Sequence, residues 1–237
     1  STMSATRCGS STSPRRSDVA PMFALLIDID GTLLETLDAI LEAMNLALAE
    51  LHEPPLQSEE LRPLIGMPVQ RQMKLLRGME GPVVEKLTDR YYEHFQAIID
   101  RGVRLYPGVP TTLESLGGRR IATMSTRRRD EARHMLRVAG IERYFTVIVG
   151  GDEVQRPKPN PDLPLHGAKA LGARPQDCVV VGDSPVDVRA GRAAGMRTVA
   201  VTYGYGDRLA LRDSAPDAMI EVFDHLPRVL EDLESEP

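Results

Sequence analysis

Two aspartates separated by a single residue, Asp28 and Asp30, are the side chains whose type and spacing most directly indicate chemistry. They follow the apolar run of residues 23–27 and precede Gly31, so they stand where a buried strand runs into a turn. Side chains two residues apart in a strand point to one side, which would bring both carboxylates together. Such acids repel each other, and a cation is the simplest way to keep both ionised. Hard oxygen ligands favour Mg²⁺. Alone, this pattern also fits a solvated turn at a strand end.

Polar residues also follow three other apolar segments of strand length. They are Ser125-Thr126, the run Arg156-Pro157-Lys158-Pro159, and the run Gly182-Asp183-Ser184-Pro185-Val186-Asp187. Ligands of an open parallel sheet bind at the edge formed by the carboxyl ends of its strands. We therefore expect these acids, hydroxyls and the lysine to meet the first two aspartates at one edge of a sheet.

The periodicity of apolar residues predicts the elements that carry these groups. Strands are predicted at residues 120–124, 146–149, 178–181 and 198–202, with a short edge strand at 218–220. Helices are predicted at residues 111–116, 130–138, 161–171, 186–194 and 224–233. Regular alternation of strand and crossover helix is typical of an α/β fold with a doubly wound parallel sheet.

The segment after Thr36 has a different pattern, with successive helices and no convincing strand up to residue 104. Apolar residues recur at three- and four-residue spacing, and Ser58 followed by two acids indicates the N-cap and first turn of a further helix. Two more helices are predicted at residues 69–77 and 83–101. An all-helical block within an alternating chain is typical of an inserted domain.

The chain is therefore predicted to have three regions. An α/β core consists of residues 22–37 and 105–237, and an all-helical cap consists of residues 38–104. Residues 1–21 are rich in Ser, Thr, Arg and Pro and are predicted to be a disordered tail. An Arg- and Ser-rich start with few acids is also typical of an organelle transit segment, and Met22 is an alternative natural start. We assign no function to the tail.

The composition is that of an ordinary globular protein, with 42% hydrophobic and 27% charged residues among 237. A net charge of −5 gives no electrostatic sign of nucleic-acid binding. No apolar run reaches the roughly 18 residues of a membrane span. Cys8 and Cys178 form neither a disulfide framework nor a zinc spacing. We therefore expect a cytoplasmic protein, monomer or homodimer, without nucleic-acid or membrane partners.

Together, the four groups of polar residues resemble the haloacid dehalogenase superfamily, in the phosphoglycolate phosphatase-like branch with a helical cap after the first motif. Each of the four motifs of that family has a match here. D-x-D-G-T-L-x-x-[ST] is matched from Asp28 to Thr36, the Ser or Thr at a strand end by Ser125, K-P-x-P from Lys158 to Pro161, and G-D-S-x-x-D from Gly182 to Asp187. The resemblance covers about residues 22–234.

The resemblance implies a phosphatase with a covalent intermediate. Asp28 would attack phosphorus and form an aspartyl phosphate, and Asp30 would act as general acid and then as general base. Mg²⁺ would be bound by the side chains of Asp28 and Asp183 and by the backbone carbonyl of Asp30. Asp187 would complete the metal site, more by orienting its ligands than by direct binding. Lys158 would pair with the nucleophile and a phosphoryl oxygen.

The resemblance also implies the contacts with a small phosphorylated metabolite. Lys158 and Ser125 would bind phosphoryl oxygens, and Thr126 is a further candidate beside Ser125. The family places a cap loop over the site, which makes residues 64–68 and Arg71 candidate specificity contacts.

Each of these residues also has a structural interpretation. Asp183 and Asp187 could be N-terminal caps of the next helix, and Ser125 is of a type common at strand ends. Lys158 could be a solvated loop residue. However, the chain has 25 arginines and only four lysines, so composition does not explain a lysine between two prolines.

The run Arg127-Arg128-Arg129 departs from the family, in which an Asn and a single basic residue often follow the Ser or Thr. It could attract an anionic substrate, or it could be a solvated helix start without a role. Arg156 beside the lysine motif is open to the same two interpretations. The five histidines lack a metal-ligand spacing and receive no role.

The leading functional hypothesis is a Mg²⁺-dependent hydrolase of a small phosphomonoester. Asp30 argues against a dehalogenase, whose relatives lack an acid there, and against an ion-pumping ATPase, which has Thr there. The alternative enzyme is a phosphosugar mutase of the β-phosphoglucomutase type, which shares the same core residues. A non-catalytic binding protein is disfavoured because every motif residue is present. The substrate stays open among phosphoglycolate, sugar phosphates, nucleotides and pyrophosphate.

Overall fold

The computed structural model describes residues 22–235, and the predicted tail of residues 1–21 lies outside them. The strands of the described chain are β1 Ala24–Ile27, β2 Leu34–Glu35, β3 Arg104–Leu105, β4 Ile121–Thr123, β5 Cys178–Gly182, β6 Arg197–Val201 and β7 Ala218–Ile220. Five of them form a parallel sheet in the order β4-β1-β5-β6-β7. From β1 the chain turns first to one side of the sheet and later to the other, and ligands bind at such a reversal point.

Strand β1 is buried on both faces. Leu25 and Ile27 belong to the larger hydrophobic cluster, whereas Ala24 and Leu26 belong to a second cluster on the opposite face. This division follows from the alternation of side chains along a strand. A continuous apolar run was therefore the correct sign of a central strand in a parallel sheet.

The α-helices of the described chain flank this sheet and form a separate helical segment. They are α1 Leu37–Glu50, α2 Ser58–Leu61, α3 Val69–Arg77, α4 Pro82–Ile99, α5 Val109–Ser115, α6 Arg129–Val138, α7 Asp162–Ala170, α8 Pro185–Ala193, α9 Arg208–Asp213 and α10 Leu226–Ser235. Buried residues of α5, α6 and α10 join the cluster on one face of β1, and those of α7 join the other. The predicted doubly wound α/β fold is confirmed.

Helices α1 to α4 lie together between β2 and β3. The buried residues of α1 and α4 recur at three- and four-residue spacing, as Ala43 to Ala47 in α1 and Leu87, Tyr91 and Phe95 in α4 illustrate. They belong to the larger hydrophobic cluster, so each helix buries one face against the other. Burial of these faces, more than intrinsic propensity, stabilises helices of this length.

Two short strands join the helical segment to the sheet. Strands β2 and β3 pair antiparallel, with Leu34 opposite Leu105 and Glu35 opposite Arg104. The prediction of no strand in residues 38–104 is therefore wrong at its last residue, because a two-residue strand is too short to show an alternating pattern. The predicted boundaries of core and cap stay predictions.

The predicted strand at residues 146–149 is wrong. The segment runs beside β4, but within it only Val147 forms a bridge, to Ala122. The Thr123 hydroxyl instead donates to the Val149 carbonyl at 2.7 Å and accepts from the Val149 amide at 2.6 Å. A side chain thereby takes the hydrogen bonds that a strand neighbour would make, which interrupts the ladder.

Two further details differ from the predicted helices. Helix α9 was not predicted; it begins after Asp207, whose carboxylate accepts from the Ala210 amide at 2.8 Å. Helix α2 is capped at Gln57 rather than Ser58, because Glu60 accepts from the Gln57 amide at 2.8 Å. In the described chain, no helix has both the length and the apolar character needed to cross a membrane.

Candidate active site

The carboxyl ends of β1, β4 and β5 bring three predicted residues to one edge of the sheet. Asp28 directly follows β1, Ser125 lies just beyond β4, and Asp183 directly follows β5. All three side chains are buried. The Asp28 amide donates to the Val181 carbonyl at 2.9 Å, so β1 and β5 stay in register up to Asp28 itself.

Lys158 connects Asp28 to a second acid. Its ammonium donates to Asp28 Oδ1 at 3.0 Å, to Asp187 Oδ1 at 2.6 Å and to the Met124 carbonyl at 3.0 Å. Three acceptors satisfy the three donors of an ammonium group. Burial lowers the pKa of Lys158, but the charges of Asp187 and Asp28 outweigh it, so this pKa is raised overall. Lys158 is therefore a fixed, buried cation and not a solvated loop residue.

Asp187 and Asp183 stand at the start of α8 with different partners. Asp187 Oδ2 accepts from the Ser184 amide at 3.0 Å and from the Ser184 hydroxyl at 2.7 Å, while its Oδ1 binds Lys158. Asp183 Oδ2 accepts from the amide of Tyr205, in the loop between β6 and α9, at 2.6 Å. Asp187 thus caps the helix and also orients the lysine, so its structural and functional interpretations are compatible.

Three buried carboxylates gather around this lysine. One oxygen from each of Asp28, Asp183 and Asp187 lies within 4.8 Å of the others. Burial raises the pKa of Asp28 well above its ordinary value; Lys158 acts against this rise and the neighbouring acids add to it. Burial and the charge of Asp187 raise the pKa of Asp183 to about 7. One lysine does not balance three acids, and hard carboxylate oxygens around a deficit of positive charge fit Mg²⁺.

Two glycines let the backbone approach these carboxylates. Gly31 has a φ of +82°, and a Cβ there would lie 2.2 Å from Asp183 Oδ2. A Cβ on Gly204, in the loop that carries Tyr205, would lie 2.4 Å from the same oxygen. Any larger residue at either position would displace the backbone or Asp183.

Asp30 has hydrogen-bond partners that differ from those of the three carboxylates. Arg127 binds it through two hydrogen bonds, from Nε to Oδ2 at 2.7 Å and from Nη2 to Oδ1 at 3.0 Å. The Thr36 hydroxyl donates to Oδ1 at 2.5 Å. Because β1 ends at Ile27, before either aspartate, strand alternation does not align Asp30 with Asp28. The expectation that both carboxylates share one side assumed a strand that continues through both residues; the strand ends before them, and both aspartates nevertheless line one cavity.

Tyr205 connects the two aspartate environments. Its hydroxyl accepts from the Thr36 amide at 2.6 Å and from the Leu37 amide at 2.9 Å, at the start of α1. This hydroxyl caps α1 in place of Thr36, whose own hydroxyl is bound to Asp30. The Tyr205 amide meanwhile binds Asp183.

A cavity of about 750 Å³ opens over this edge of the sheet. Asp28, Lys158 and Asp183 line it from the sheet, and residues 65–68 and Arg71 line it from the helical segment. The size suits a small-molecule ligand. Most of the predicted cap contacts are therefore found over the same space as the predicted nucleophile.

Ser125 and Thr126 do not line that cavity. Ser125 is buried, and its hydroxyl accepts from the Arg127 amide at 3.2 Å. Thr126 lines an adjoining cavity of about 90 Å³, which shares Asp30 and residues 65–68 with the large one. Their contacts with substrate stay predictions.

Sequence reasoning missed two residues of this site. It left the role of Arg127 open and gave no role to Tyr205. The sign for Arg127 was its place two residues after Ser125, in the segment where the family often has a basic residue. No sequence pattern marked Tyr205, which reaches the start of α1 from a loop 168 residues further along the chain.

The comparison with protein families finds a match over most of the chain. The model of the haloacid dehalogenase-like hydrolase family matches residues 25–201. This range contains all four motifs, from Asp28 to Asp187, and the whole helical segment.

Curated relatives match over most of their length. The phosphoglycolate phosphatase of Nitrosospira multiformis is 32% identical over 208 residues, which cover 84% of this chain and 92% of the relative. The protein named "Phosphoglycolate phosphatase, plasmid" from Cupriavidus necator is 33% identical over 217 residues, which cover 89% of this chain and 94% of the relative.

Solved structures share the architecture. A structure described as a predicted phosphoglycolate phosphatase from Haemophilus somnus 129pt has a TM-score of 0.81 at 24% identity, over 88% of this chain and 98% of that one. CbbY from Rhodobacter sphaeroides in complex with xylulose-(1,5)-bisphosphate has a TM-score of 0.77 at 25% identity, over 86% of this chain and 96% of that one. Both likenesses extend over the sheet and the helical segment.

Proposed function

The chain belongs to the haloacid dehalogenase-like hydrolase family, and on that premise we propose that it is a Mg²⁺-dependent phosphatase acting on a small phosphomonoester through an aspartyl phosphate. The observation that carries the proposal is the hydrogen bond from Lys158 Nζ to Asp28 Oδ1 within a group of three buried carboxylates. Relatives named phosphoglycolate phosphatase support the reaction class. The fold alone would not, because one fold hosts many activities.

Asp28 is the nucleophile in this proposal. Lys158 holds Oδ1, and within the described chain no donor binds Oδ2, so Oδ2 is the oxygen left to attack phosphorus. A bond forms between Oδ2 and phosphorus while the ester P–O bond breaks. The leaving oxygen takes a proton from Asp30, which yields an alcohol and an aspartyl phosphate.

Water completes the reaction. It attacks the phosphorus of the aspartyl phosphate and gives a proton to Asp30, while the bond between phosphorus and Asp28 breaks. Inorganic phosphate leaves and both carboxyl groups return to their starting states. Lys158 stays protonated beside Asp28 and Asp187 and offers its charge to a phosphoryl oxygen, with Ser125 as a further donor.

The metal site is assigned to the side chains of Asp28 and Asp183 and the backbone carbonyl of Asp30. The raised pKa values of the two side chains indicate a deficit of positive charge that a divalent cation would fill. When bound, Mg²⁺ supplies charge that reduces the repulsion between a carboxylate and a phosphate anion. Asp187 orients Lys158 and α8, because both of its oxygens already accept hydrogen bonds.

The proposed substrate is a small phosphomonoester with a second anionic group. Arg62, Arg71 and Arg189 line the large cavity, and within residues 22–235 neither Arg71 nor Arg189 forms an ion pair. Guanidinium groups suit a carboxylate, as in phosphoglycolate, or a second phosphate. The CbbY ligand, a bisphosphate, also carries two anionic groups.

Residues 38–104 act as a cap over the core in this proposal. Residues 65–68 and Arg71 line the same cavity as Asp28, and the two crossings between core and cap lie side by side in β2 and β3. Such a connection lets helices close over a substrate and exclude water. A cytoplasmic location stays a prediction.

The test is phosphate release by the full chain from p-nitrophenyl phosphate, 2-phosphoglycolate and β-glucose 1-phosphate, with and without Mg²⁺. We expect Mg²⁺-dependent release of one phosphate per substrate consumed and no isomerised sugar phosphate. Isomerised sugar without free phosphate would assign a phosphosugar mutase instead. No turnover of any substrate in either condition would favour a binding protein on the same fold.

A further inference from the structure

Arg127 is the one buried member of the run Arg127-Arg128-Arg129. It is 8% exposed, whereas its two neighbours are exposed. Burial of a guanidinium costs free energy unless its charge is paired and hydrogen-bonded. Neither attraction of substrate nor a solvated helix start describes such a residue, so its contacts decide its role.

Asp30 supplies the opposite charge. The two hydrogen bonds from Arg127, at 2.7 Å and 3.0 Å, engage both carboxylate oxygens. Burial lowers the pKa of Arg127, but the charge of Asp30 outweighs it, so this pKa lies well above its ordinary value. A two-point contact of this kind fixes the plane of the carboxylate, which a single contact does not.

Helix α4 holds the other side of the guanidinium. The Arg127 guanidinium carbon lies 3.8 Å from the centroid of the Phe95 ring, a cation–π contact. Burial raises the pKa of Tyr91, one turn before Phe95, and the Arg127 charge acts against that rise. Arg127 therefore lies between Asp30 at the sheet edge and an aromatic face of the helical segment.

The hydrogen bonds to Asp30 leave one position open. A carboxylate has about four lone-pair sites, two on each oxygen. Oδ1 accepts from Arg127 and Thr36, whereas Oδ2 accepts from Arg127 alone among the described residues. Asp30 also lines the large cavity. Oδ2 is therefore the oxygen with room to exchange a proton.

We propose that Arg127 is a positioning residue for the general acid and base, which orients Asp30 so that Oδ2 exchanges the proton and couples that orientation to helix α4. This inference rests on the proposed phosphatase function. Arg127 does not line the large cavity, so in this proposal it acts through Asp30. Without it, Asp30 would be held by the Thr36 hydroxyl alone, and its carboxylate plane would no longer be fixed.

Leaving groups that differ in their need for a proton separate this role from a structural one. p-Nitrophenolate leaves without protonation, whereas the alkoxide from 2-phosphoglycolate needs a proton. In Arg127→Met, single-turnover transfer from p-nitrophenyl phosphate should stay within about threefold of wild type, while transfer from 2-phosphoglycolate should fall about 100-fold. Slowed hydrolysis of the aspartyl phosphate should also give a burst of p-nitrophenolate equal to the enzyme concentration.

Three further variants make the comparison specific. Arg127→Lys keeps the charge but not the two-point contact, and should recover part of the rate with 2-phosphoglycolate. Phe95→Leu keeps the ion pair but loses the aromatic surface, and should show the same substrate dependence with a loss of about tenfold. Arg128→Met, at an exposed neighbour, should match wild type with both substrates.

Two results would overturn the inference. Equal losses with both substrates in Arg127→Met would indicate a structural role, and wild-type rates with both would indicate no role. Should Arg127→Met not fold, Arg127→Lys and Phe95→Leu provide the same comparison. If wild type releases phosphate from neither substrate, the proposed function itself fails and this inference fails with it.

Discussion

Asp28 and Asp30 are separated by one residue, yet their charged partners differ. Asp28 belongs to a group of three buried carboxylates with a single lysine, and burial raises its pKa. Asp30 faces a guanidinium bound at two points and a hydroxyl. The first region, formed by Asp28, Asp183, Asp187 and Lys158, has three acids and one cation. In the second region, formed by Asp30, Arg127 and Thr36, the single acid is paired with a single cation.

This difference indicates that the residues around each aspartate, and not the distance between the two along the sequence, determine which role each one has. A carboxylate group short of positive charge can take up a divalent cation and then a phosphate anion. A carboxylate held in one plane suits directed proton exchange. Four predictions test the division, beginning with the largest effect.

Asp28→Asn should remove the chemistry of the first region and leave the second intact. The amide has nearly the same shape but is no nucleophile, so kcat should fall on the order of 10⁴- to 10⁶-fold. The melting temperature should change by no more than about 4 °C, because relief of repulsion among the acids offsets the lost attraction to Lys158. Steady-state phosphate release and thermal unfolding measure both. Asp162→Asn, at a surface acid paired with Arg156, is the matched control.

A rate within about tenfold of wild type in Asp28→Asn would contradict the assignment of the nucleophile. It would also contradict the separate roles proposed for the two aspartates, because Asp28 would then take no chemical part in the reaction.

Lys158→Met should show that the first region depends on one cation. Removal of the lysine leaves Asp28 and Asp187 buried without their positive partner, which should cost about 3–5 kcal/mol of unfolding free energy. Urea denaturation measures it, and Lys169→Met, at an exposed lysine, should cost less than about 0.5 kcal/mol.

The pH dependence of Lys158→Met sharpens the same point. The pKa of Asp28 is raised in the folded state, so between the unfolded and folded pKa values the folded protein binds more protons. Stability from this group is therefore present at low pH and is lost as pH rises through the folded pKa. Lys158 lowers this pKa, so its removal should raise the pKa of Asp28 further and make the ionised form more costly. The variant should therefore lose more unfolding free energy at pH 8 than at pH 5. An equal loss at both pH values would contradict the account.

Mg²⁺ should stabilise the first region, and this stabilisation should not depend on the Asp30 side chain. At about 100 times its Kd the ion should add about 2.7 kcal/mol to the unfolding free energy. Because bound carboxylates must be ionised, and the pKa of Asp183 is about 7, this gain should shrink below pH 7. Thermal unfolding with and without Mg²⁺ should show the gain in Asp30→Asn and its loss in Asp183→Asn. If the stabilisation by Mg²⁺ were independent of pH, or were lost in Asp30→Asn, the proposed separation of roles between the two aspartates would be contradicted.

Tyr205→Phe should have the smallest effect, since it removes only a link between the regions. The lost hydroxyl leaves the amides of Thr36 and Leu37 without their acceptor at the start of α1, at a cost of about 1–2 kcal/mol. Chemical denaturation measures this cost, with Tyr144→Phe, whose hydroxyl binds Glu114 at the surface, as control. Equal stability of the two variants would contradict the capping role.

The main sheet could be predicted because its strands are continuous apolar runs, and the long helices because their apolar residues recur with a period of 3.6 over enough length. Strand pairs of two residues, as in β2 and β3, contain no period to detect. The segment at residues 146–149 has the apolar character of a strand, but the Thr123 hydroxyl takes the Val149 amide and carbonyl. These hydrogen bonds form between segments that are distant in the sequence, so the sequence of residues 146–149 does not reveal them.

The part of the candidate site that lies at the sheet edge was predictable, because its residues belong to motifs with known positions in the fold. Asp28 and Asp183 converge because each directly follows a strand of the same sheet edge, and the loop before α7 brings Lys158 to Asp28. The partners of Asp30 come from elsewhere: Arg127 is buried between Asp30 and the Phe95 ring of α4. A buried arginine and a solvated one look alike in sequence, so the environment of the second aspartate could not be read from it.

The most direct test of the division between the two acids is to find where the phosphoryl group rests. Asp30→Asn should still transfer phosphate from p-nitrophenyl phosphate but hydrolyse the intermediate slowly. Rapid acid quench and peptide mass spectrometry should then find one phosphoryl group, on Asp28. A phosphoryl group on another residue, or none while p-nitrophenolate and phosphate continue to be released, would contradict the account.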